Sequence, residues 1–127
     1  MTTIDDVSSS RPTVLVVDDI AANLIALEAI LRRDDLDIVT ASSGAAALEV
    51  LLERDVALAI IDVQMPGMDG FELAELMRGV DKTRYVPIIF VTAGARDQSR
   101  VFLGYDAGAV DFLFKPVEAH VLRSKVE

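Results

Sequence analysis

The sequence predicts an α/β fold, in which a doubly wound parallel sheet of five strands carries helices on both faces. Five short apolar runs alternate with five segments whose apolar residues recur at helical spacing, and short turns join them. The first run, Thr13–Val17, lacks polar–apolar alternation, which indicates a strand buried on both faces. A chain of 127 residues suffices for one domain with a real core and is too short for two of ordinary size.

The predicted elements follow one another in a regular order. The strands are expected at 13–17, 37–41, 58–61, 87–91 and 110–114. The helices are expected at about 20–31, 44–54, 71–80, 99–106 and from 117 onward. Ser43 is the expected N-cap of the second helix. We expect residues 1–11 to form a flexible tail and the domain to run over 12–127, with its last helix cut short.

The composition excludes several classes of protein. Twelve Lys and Arg against 21 Asp and Glu give a net charge of −9, which disfavours direct contact with nucleic acid or anionic membranes. An apolar fraction of 52% excludes a disordered acidic tail. The absence of cysteine removes disulfides, thiolate metal sites and cysteine nucleophiles. Because no export signal or membrane-spanning stretch is visible either, we expect a cytoplasmic protein.

The carboxyl edge of the predicted sheet collects the residues that could carry chemistry. Strand one is followed by Asp18 and Asp19, strand three by Asp62, strand four by Thr92 and strand five by Lys115. In open α/β sheets the ligand crevice lies beyond this edge. Three crowded carboxylates need a cation among them, and oxygen donors without His or Cys suit Mg²⁺. With a lysine opposite the cation, the site predicts phosphoryl transfer onto Asp62.

The same residues carry a resemblance to the receiver domain of two-component response regulators. The matching segments are VLVVDD at 14–19, DVQMPGMDG at 62–70, FVTA at 90–93 and GAVDFLFKP at 108–116. Their order and spacing resemble the family from about Pro12 to the end of the chain. The resemblance implies a flavodoxin-like (βα)5 fold with strand order 2-1-3-4-5. It also implies a phosphorylation-controlled regulatory domain rather than an enzyme.

Carried over by position, the resemblance implies a role for each polar residue at the edge. Asp62 would be the phosphoacceptor. Asp19 would bind Mg²⁺ directly, Asp18 through water, and Asp62 and the backbone carbonyl of Gln64 would complete the metal ligands. Lys115 would hold an oxygen of the phosphoryl group.

The resemblance further implies a conformational switch. Thr92 would hydrogen-bond the phosphoryl group, and Phe112, at the family's switch aromatic position, would turn inward. Phe112 departs from the common tyrosine because it lacks a hydroxyl, so we expect the ring to rest partly inward. The Lys115–Pro116 peptide bond is expected to be cis.

The implied partners follow from the same resemblance. A histidine kinase or a histidine phosphotransfer protein would donate the phosphoryl group. The output would pass through the surface formed by the fourth helix, the fifth strand and the fifth helix. That surface would bind a second copy of the chain or an output domain in cis.

Two other functions stay open at this point. The domain could be a degenerate receiver that serves only for protein interaction or dimerisation. It could also be a Mg²⁺-dependent phosphatase that works through an aspartyl phosphate, although Gln64 stands where such enzymes need an acid. Taken singly, Asp18 could also be the N-cap of the first helix. The acidic run Asp34-Asp35-Leu36-Asp37 is expected to be a solvated turn.

Overall fold

A computed structural model of the chain describes residues 11–92, 111–115 and 117–126. A parallel sheet of five strands, in the order β2-β1-β3-β4-β5, forms its centre. The strands are β1 Thr13–Val17, β2 Asp37–Ala41, β3 Leu58–Asp62, β4 Ile88–Thr92 and β5 Asp111–Phe114. The described helices are α1 Ala21–Leu31, α2 Gly44–Glu53, α3 Gly70–Arg78 and α4 Ala119–Val126. The predicted fold class and strand order are confirmed.

Alternate strand residues divide between two apolar clusters, one on each face of the sheet. Leu15 and Val17 of β1 lie in a cluster with apolar residues of α2 and α3. Val14 and Val16 lie in the other cluster, with apolar residues of α1 and α4. All five residues of β1 are buried, because helices cover the sheet on both sides. The doubly wound arrangement inferred from the unalternated runs is therefore present.

Small differences from the predicted bounds have local causes. The third strand runs on to Asp62 and the fourth to Thr92, so both polar residues are the last residues of their strands. The fourth strand begins at Ile88, since Pro87 has no N–H to donate, although its carbonyl accepts from Ala59 at 2.9 Å. The helix expected from 117 begins two residues later as α4. The helix predicted at 99–106 and the tail expected at 1–11 lie outside the described residues, Arg11 excepted.

Side-chain caps fix the starts of the two helices that follow β2 and β3. Ser43 accepts a hydrogen bond from the N–H of Ala46 at 3.0 Å, which confirms the predicted N-cap of α2. Asp69 and Glu72 form a reciprocal capping box at the start of α3. Both starts lie at the carboxyl edge of the sheet, so the caps hold the loops that surround it. Across the part of the chain that the structure describes, no helix combines the length and apolar character needed to cross a bilayer.

Candidate functional site

Three aspartates meet at the carboxyl edge of the sheet. Val17 of β1 pairs with Ile61 of β3, so Asp18 follows one strand beside the position where Asp62 ends the other. One carboxylate oxygen from each of Asp18, Asp19 and Asp62 lies within 4.8 Å of the other two. Asp18 and Asp62 are 1% and 3% exposed, whereas Asp19 is exposed. The structure thus brings together the three carboxylates that strand periodicity predicted to converge.

Lys115 lies between the two buried carboxylates. Its ammonium nitrogen is 3.5 Å from Oδ2 of Asp18 and 3.5 Å from Oδ1 of Asp62. The backbone N–H of Lys115 donates to the carbonyl of Thr92 at 3.0 Å, which fixes the end of β5 against the end of β4. One ammonium against three carboxylates leaves the group with an excess of negative charge. A cation bound at this edge would offset that excess.

The environment of Asp62 penalises its charged form. Burial, and after it the charge of Asp18, raises the pKa of Asp62 above its ordinary value. Lys115 and the backbone N–H of Gln64, which lies 3.4 Å from Oδ1, act in the opposite direction without cancelling that rise. The ionised carboxylate is therefore costly in the metal-free protein. It is also only weakly held by protein donors, which leaves its oxygens available to a ligand.

Asp18 is held from two sides and does not cap a helix. Its Oδ1 accepts from the backbone N–H of Ile20 at 3.0 Å, and its Oδ2 accepts from the side-chain amide of Asn23 at 3.1 Å. The N-cap of α1 is Ile20, and no side chain caps that helix. The interpretation of Asp18 as an N-cap is therefore wrong, because the Asp18 bond closes a local turn before the helix starts.

Asn23 is a residue that the sequence interpretation missed. A usable signal was present, since Asn23 and Glu28 are the polar residues of the otherwise apolar helix sequence AANLIALEAIL. Asn23 lies in the first turn of α1, shortly after the Asp18-Asp19 pair in the sequence. Its contact with Asp18 makes it part of the pocket.

The remaining predicted residues lie beside the pocket. Thr92 is fully buried at the end of β4. Phe112 of β5 pairs with Phe90 of β4, is 7% exposed, and has its ring centroid 5.5 Å from that of Phe90. The ring of Phe112 thus lies inward in this structure. Gln64 follows Asp62 by two residues and is exposed. The predicted cis peptide at 115–116 lies outside the described residues, since Pro116 is not among them.

Gly70 fixes the distance between α3 and the strand that carries Asp62. A Cβ atom at this position would lie 2.5 Å from the carbonyl oxygen of Asp62 and 2.9 Å from Cα of Val63. The N–H of Gly70 donates to the carbonyl of Val63 at 2.9 Å. Only glycine permits this approach of backbone to backbone, so the first residue of α3 supports the phosphoacceptor candidate directly.

The other acidic run lies at the opposite edge of the sheet and is paired with arginines. Arg33 donates two hydrogen bonds to the carboxylate of Asp35, at 2.9 and 2.7 Å. Asp37, at the start of β2, lies 3.2 Å from Arg11 and 3.7 Å from Arg54. This region matches the expected solvated turn, with ion pairs that hold it against its neighbours.

Comparisons with known proteins agree with this geometry. The profile of the response regulator receiver domain matches residues 14–127. Transcriptional regulatory protein AfsQ1 of Streptomyces coelicolor is 37% identical over 115 residues, which cover 91% of this chain and 49% of AfsQ1. Sensor histidine kinase GacS of Pseudomonas protegens is 34% identical over 126 residues, which cover 96% of this chain and 14% of GacS. This chain therefore spans only part of each of these curated relatives.

A solved structure extends the agreement to the fold. The crystal structure of a response regulator receiver protein from Pseudomonas putida superposes with a TM-score of 0.85 at 33% identity, covering 92% of this chain and 96% of that chain. Receiver domains are regulatory phosphorylation modules of two-component signalling rather than enzymes in the ordinary sense. The acidic pocket of Asp18, Asp19 and Asp62 with Lys115 is consistent with a phosphoacceptor site. By its profile match, its sequence relatives and its fold, the chain belongs to the response regulator receiver domain family.

Proposed function

We propose that this domain accepts a phosphoryl group onto Asp62 from a phosphohistidine and relays the event to a partner surface. One observation carries the proposal. Asp62 is buried among two further carboxylates within 4.8 Å, and the Lys115 ammonium lies 3.5 Å from one of its oxygens. A lone strand-end aspartate has neither neighbour, and the two together provide a nucleophile and a cation for the phosphoryl oxygens.

The donor set fits Mg²⁺. Three carboxylates with no His or Cys in the group offer hard oxygen ligands, and such sites leave metal positions open to water or phosphate. Asp19 is exposed, so a hydrated cation can reach it directly. Asp62 and the backbone carbonyl of Gln64 would complete the direct protein ligands, and Asp18 would bind the cation through water. When bound, Mg²⁺ would draw charge from the phosphoryl oxygens and lower the repulsion between the carboxylates.

The chain's own residues would then carry the transfer. An oxygen of the Asp62 carboxylate attacks phosphorus, the O–P bond forms, and the N–P bond of the donor imidazole breaks with its electron pair returning to the ring nitrogen. Lys115 exchanges a carboxylate partner for a phosphoryl oxygen, and the Thr92 hydroxyl donates to another. The product is an acyl phosphate on Asp62 and a free histidine on the donor.

The switch would start from the end of β4. Thr92 and Phe112 lie on neighbouring strands joined in register, so movement of Thr92 toward the phosphoryl group changes the packing beside Phe112. The altered surface would include β5 and α4, the fifth helix of the sequence prediction. We expect Thr92→Ala to accept the phosphoryl group and to transmit the change poorly. An unchanged output response in that variant would contradict the switch role.

The donor and the output are proposed from the family. A histidine kinase or a histidine phosphotransfer protein in the cytoplasm would supply the phosphoryl group. The chain matches a part of a transcriptional regulatory protein and a part of a sensor histidine kinase. Both relatives contain sequence beyond the matched part, which favours output to a domain in cis. A second copy of the chain is the other partner proposed for this surface. Direct contact with nucleic acid or membrane is not proposed for this acidic domain.

The test is phosphorylation by a small acyl-phosphate donor with Mg²⁺, followed by intact-mass spectrometry. We expect the mass to rise by one phosphoryl group, and the rise to be lost when EDTA removes the metal. A folded protein that is not modified would contradict the proposal and favour a degenerate interaction module. Rapid turnover of an added phosphoester would contradict it in favour of a phosphatase.

A further inference from the structure

The buried carboxylate of Asp18 has one side-chain partner that the proposed reaction does not involve. Lys115 approaches Oδ2 of Asp18 at 3.5 Å, but it approaches Asp62 at the same distance and would have to serve the incoming phosphoryl group as well. The amide of Asn23 donates to the same Oδ2 at 3.1 Å. Asn23 belongs to α1, whose apolar residues pack against the sheet, so its backbone is fixed by the core.

We infer that Asn23 is a positioning residue of the site, which holds the Asp18 carboxylate in place independently of Lys115. With the N–H of Ile20 on Oδ1 and the amide of Asn23 on Oδ2, both oxygens are tied and the rotamer of Asp18 is set. A partner of this kind orients a ligand before the metal arrives, and it remains when the lysine moves. This inference deepens the proposed function and rests on it.

The surroundings of Asn23 make the inference testable without disrupting the core. A cavity of about 530 Å³ opens beside it, lined by Asp18, Asn23, Ala26, Leu27, Ile30, Val91, Lys115 and Val117. Its walls are largely apolar. A leucine has the same branching at Cγ as asparagine, finds apolar neighbours to pack against, and removes the amide that donates to Asp18. Asn23→Leu is thus a suitable variant, and Asn23→Gln keeps the amide on a longer stem.

The experiment measures Mg²⁺ binding by isothermal titration calorimetry, together with the labelling of Asp62 by acyl phosphate over a range of Mg²⁺ concentrations. We expect Asn23→Leu to raise the Mg²⁺ dissociation constant about tenfold, with labelling restored as Mg²⁺ is increased. We expect Asn23→Gln to recover part of the loss. Glu28→Gln is the matched control, because Glu28 lies on the same helix and contacts Arg32 at 4.0 Å instead of the pocket.

Each outcome decides between specific claims. A wild-type protein that binds Mg²⁺ and is labelled, beside an Asn23→Leu variant of unchanged dissociation constant, overturns the positioning role alone, even when the variant is less stable. A wild-type protein that neither binds Mg²⁺ nor is labelled overturns the proposed function and the positioning role with it. Should Asn23→Leu fail to fold, Asn23→Ala carries the same expected loss of Mg²⁺ affinity and the same contradicting result.

Discussion

Two groups of three aspartates lie at opposite edges of the same sheet, and they differ in how many basic side chains contact them. At the edge where β2 begins, Asp35 and Asp37 each contact arginines, and Asp37 is shared by two of them. At the carboxyl edge, Asp18, Asp19 and Asp62 approach one another within 4.8 Å, and one lysine stands between the two buried members. Similar residues thus form ion pairs in one place and a concentrated negative charge in the other.

The pKa values of Asp35 and Asp62 are shifted in opposite directions at the two edges. The hydrogen bond from Arg33 is the main cause that lowers the pKa of Asp35, whereas burial is the main cause that raises the pKa of Asp62. Asp37 alone contacts two arginines, whereas Asp18 and Asp62 share the single ammonium of Lys115. One lysine offsets only part of the charge of three carboxylates, and the remaining buried charge is costly, which points to a ligand cation at this edge.

The largest expected effect is on phosphoryl acceptance. Asp62→Asn removes the nucleophilic carboxylate oxygen and leaves an amide of the same shape, so labelling by acyl phosphate with Mg²⁺ should be abolished. Asp37→Asn is the matched change at the other edge and should label as the wild-type protein does. Intact-mass spectrometry of the three proteins makes the comparison. Normal labelling of Asp62→Asn would refute the assignment of the acceptor.

The next effect concerns the backbone that supports Asp62. Gly70→Ala places a Cβ atom 2.5 Å from the Asp62 carbonyl, so we expect a loss of about 1–3 kcal/mol in the free energy of unfolding and slower labelling. Gly79→Ala at the other end of α3 meets its nearest atom at 3.6 Å and should change stability by less than about 0.5 kcal/mol. Urea denaturation measures both, and equal losses would show that the close approach is unimportant.

A smaller effect, opposite in sign at the two edges, is expected on stability. In metal-free buffer at neutral pH, Asp62→Asn should raise the free energy of unfolding, because it removes a buried charge beside Asp18 while Lys115 keeps Asp18 as its partner. Asp37→Asn breaks ion pairs with Arg11 and Arg54 and should lower it by less than about 1 kcal/mol. A destabilised Asp62→Asn would contradict the account of the pocket.

The stability gained by Asp62→Asn should depend on pH in a definite direction. The folded pKa of Asp62 is raised, so the folded protein binds its proton more tightly than the unfolded chain does. The stabilisation from this proton is complete below the ordinary value of 3.8 and is lost as the pH rises through the raised value. The difference between Asp62→Asn and wild type should therefore grow over that interval. A difference that stays constant from acid to neutral pH would contradict the shift.

The smallest effect is expected at the exposed pair. Arg33→Gln removes the hydrogen bonds to Asp35, so the pKa of Asp35 should return toward its ordinary value. The pKa of Asp62 should stay raised, because the two sites lie at opposite edges of the sheet. Side-chain carboxyl NMR titration measures both groups in one sample. A parallel change at Asp62 would show that the two regions are coupled.

Much of the difference between the two groups of aspartates could be predicted from the sequence, and part of it could not. Unalternated apolar runs predicted strands buried on both faces, and strand ends then predicted the meeting of Asp18, Asp62 and Lys115. The pairing of Asp37 with Arg11 and Arg54 was not predictable, because it depends on where separate segments meet in space. Asn23 is visible in the sequence as a polar residue of an otherwise apolar helix, but its hydrogen bond to Asp18 was not predictable, because it depends on where α1 begins.

The central claim is that the excess negative charge at the carboxyl edge serves to bind Mg²⁺ for the phosphorylation of Asp62. The most direct measurement is to phosphorylate the wild-type protein with acyl phosphate and Mg²⁺, reduce the product with borohydride, and map the modified residue by peptide mass spectrometry. The account predicts that the reduced acyl phosphate is found at residue 62 and that it is absent when EDTA removes Mg²⁺. Modification at another residue, or equal modification without Mg²⁺, would contradict it.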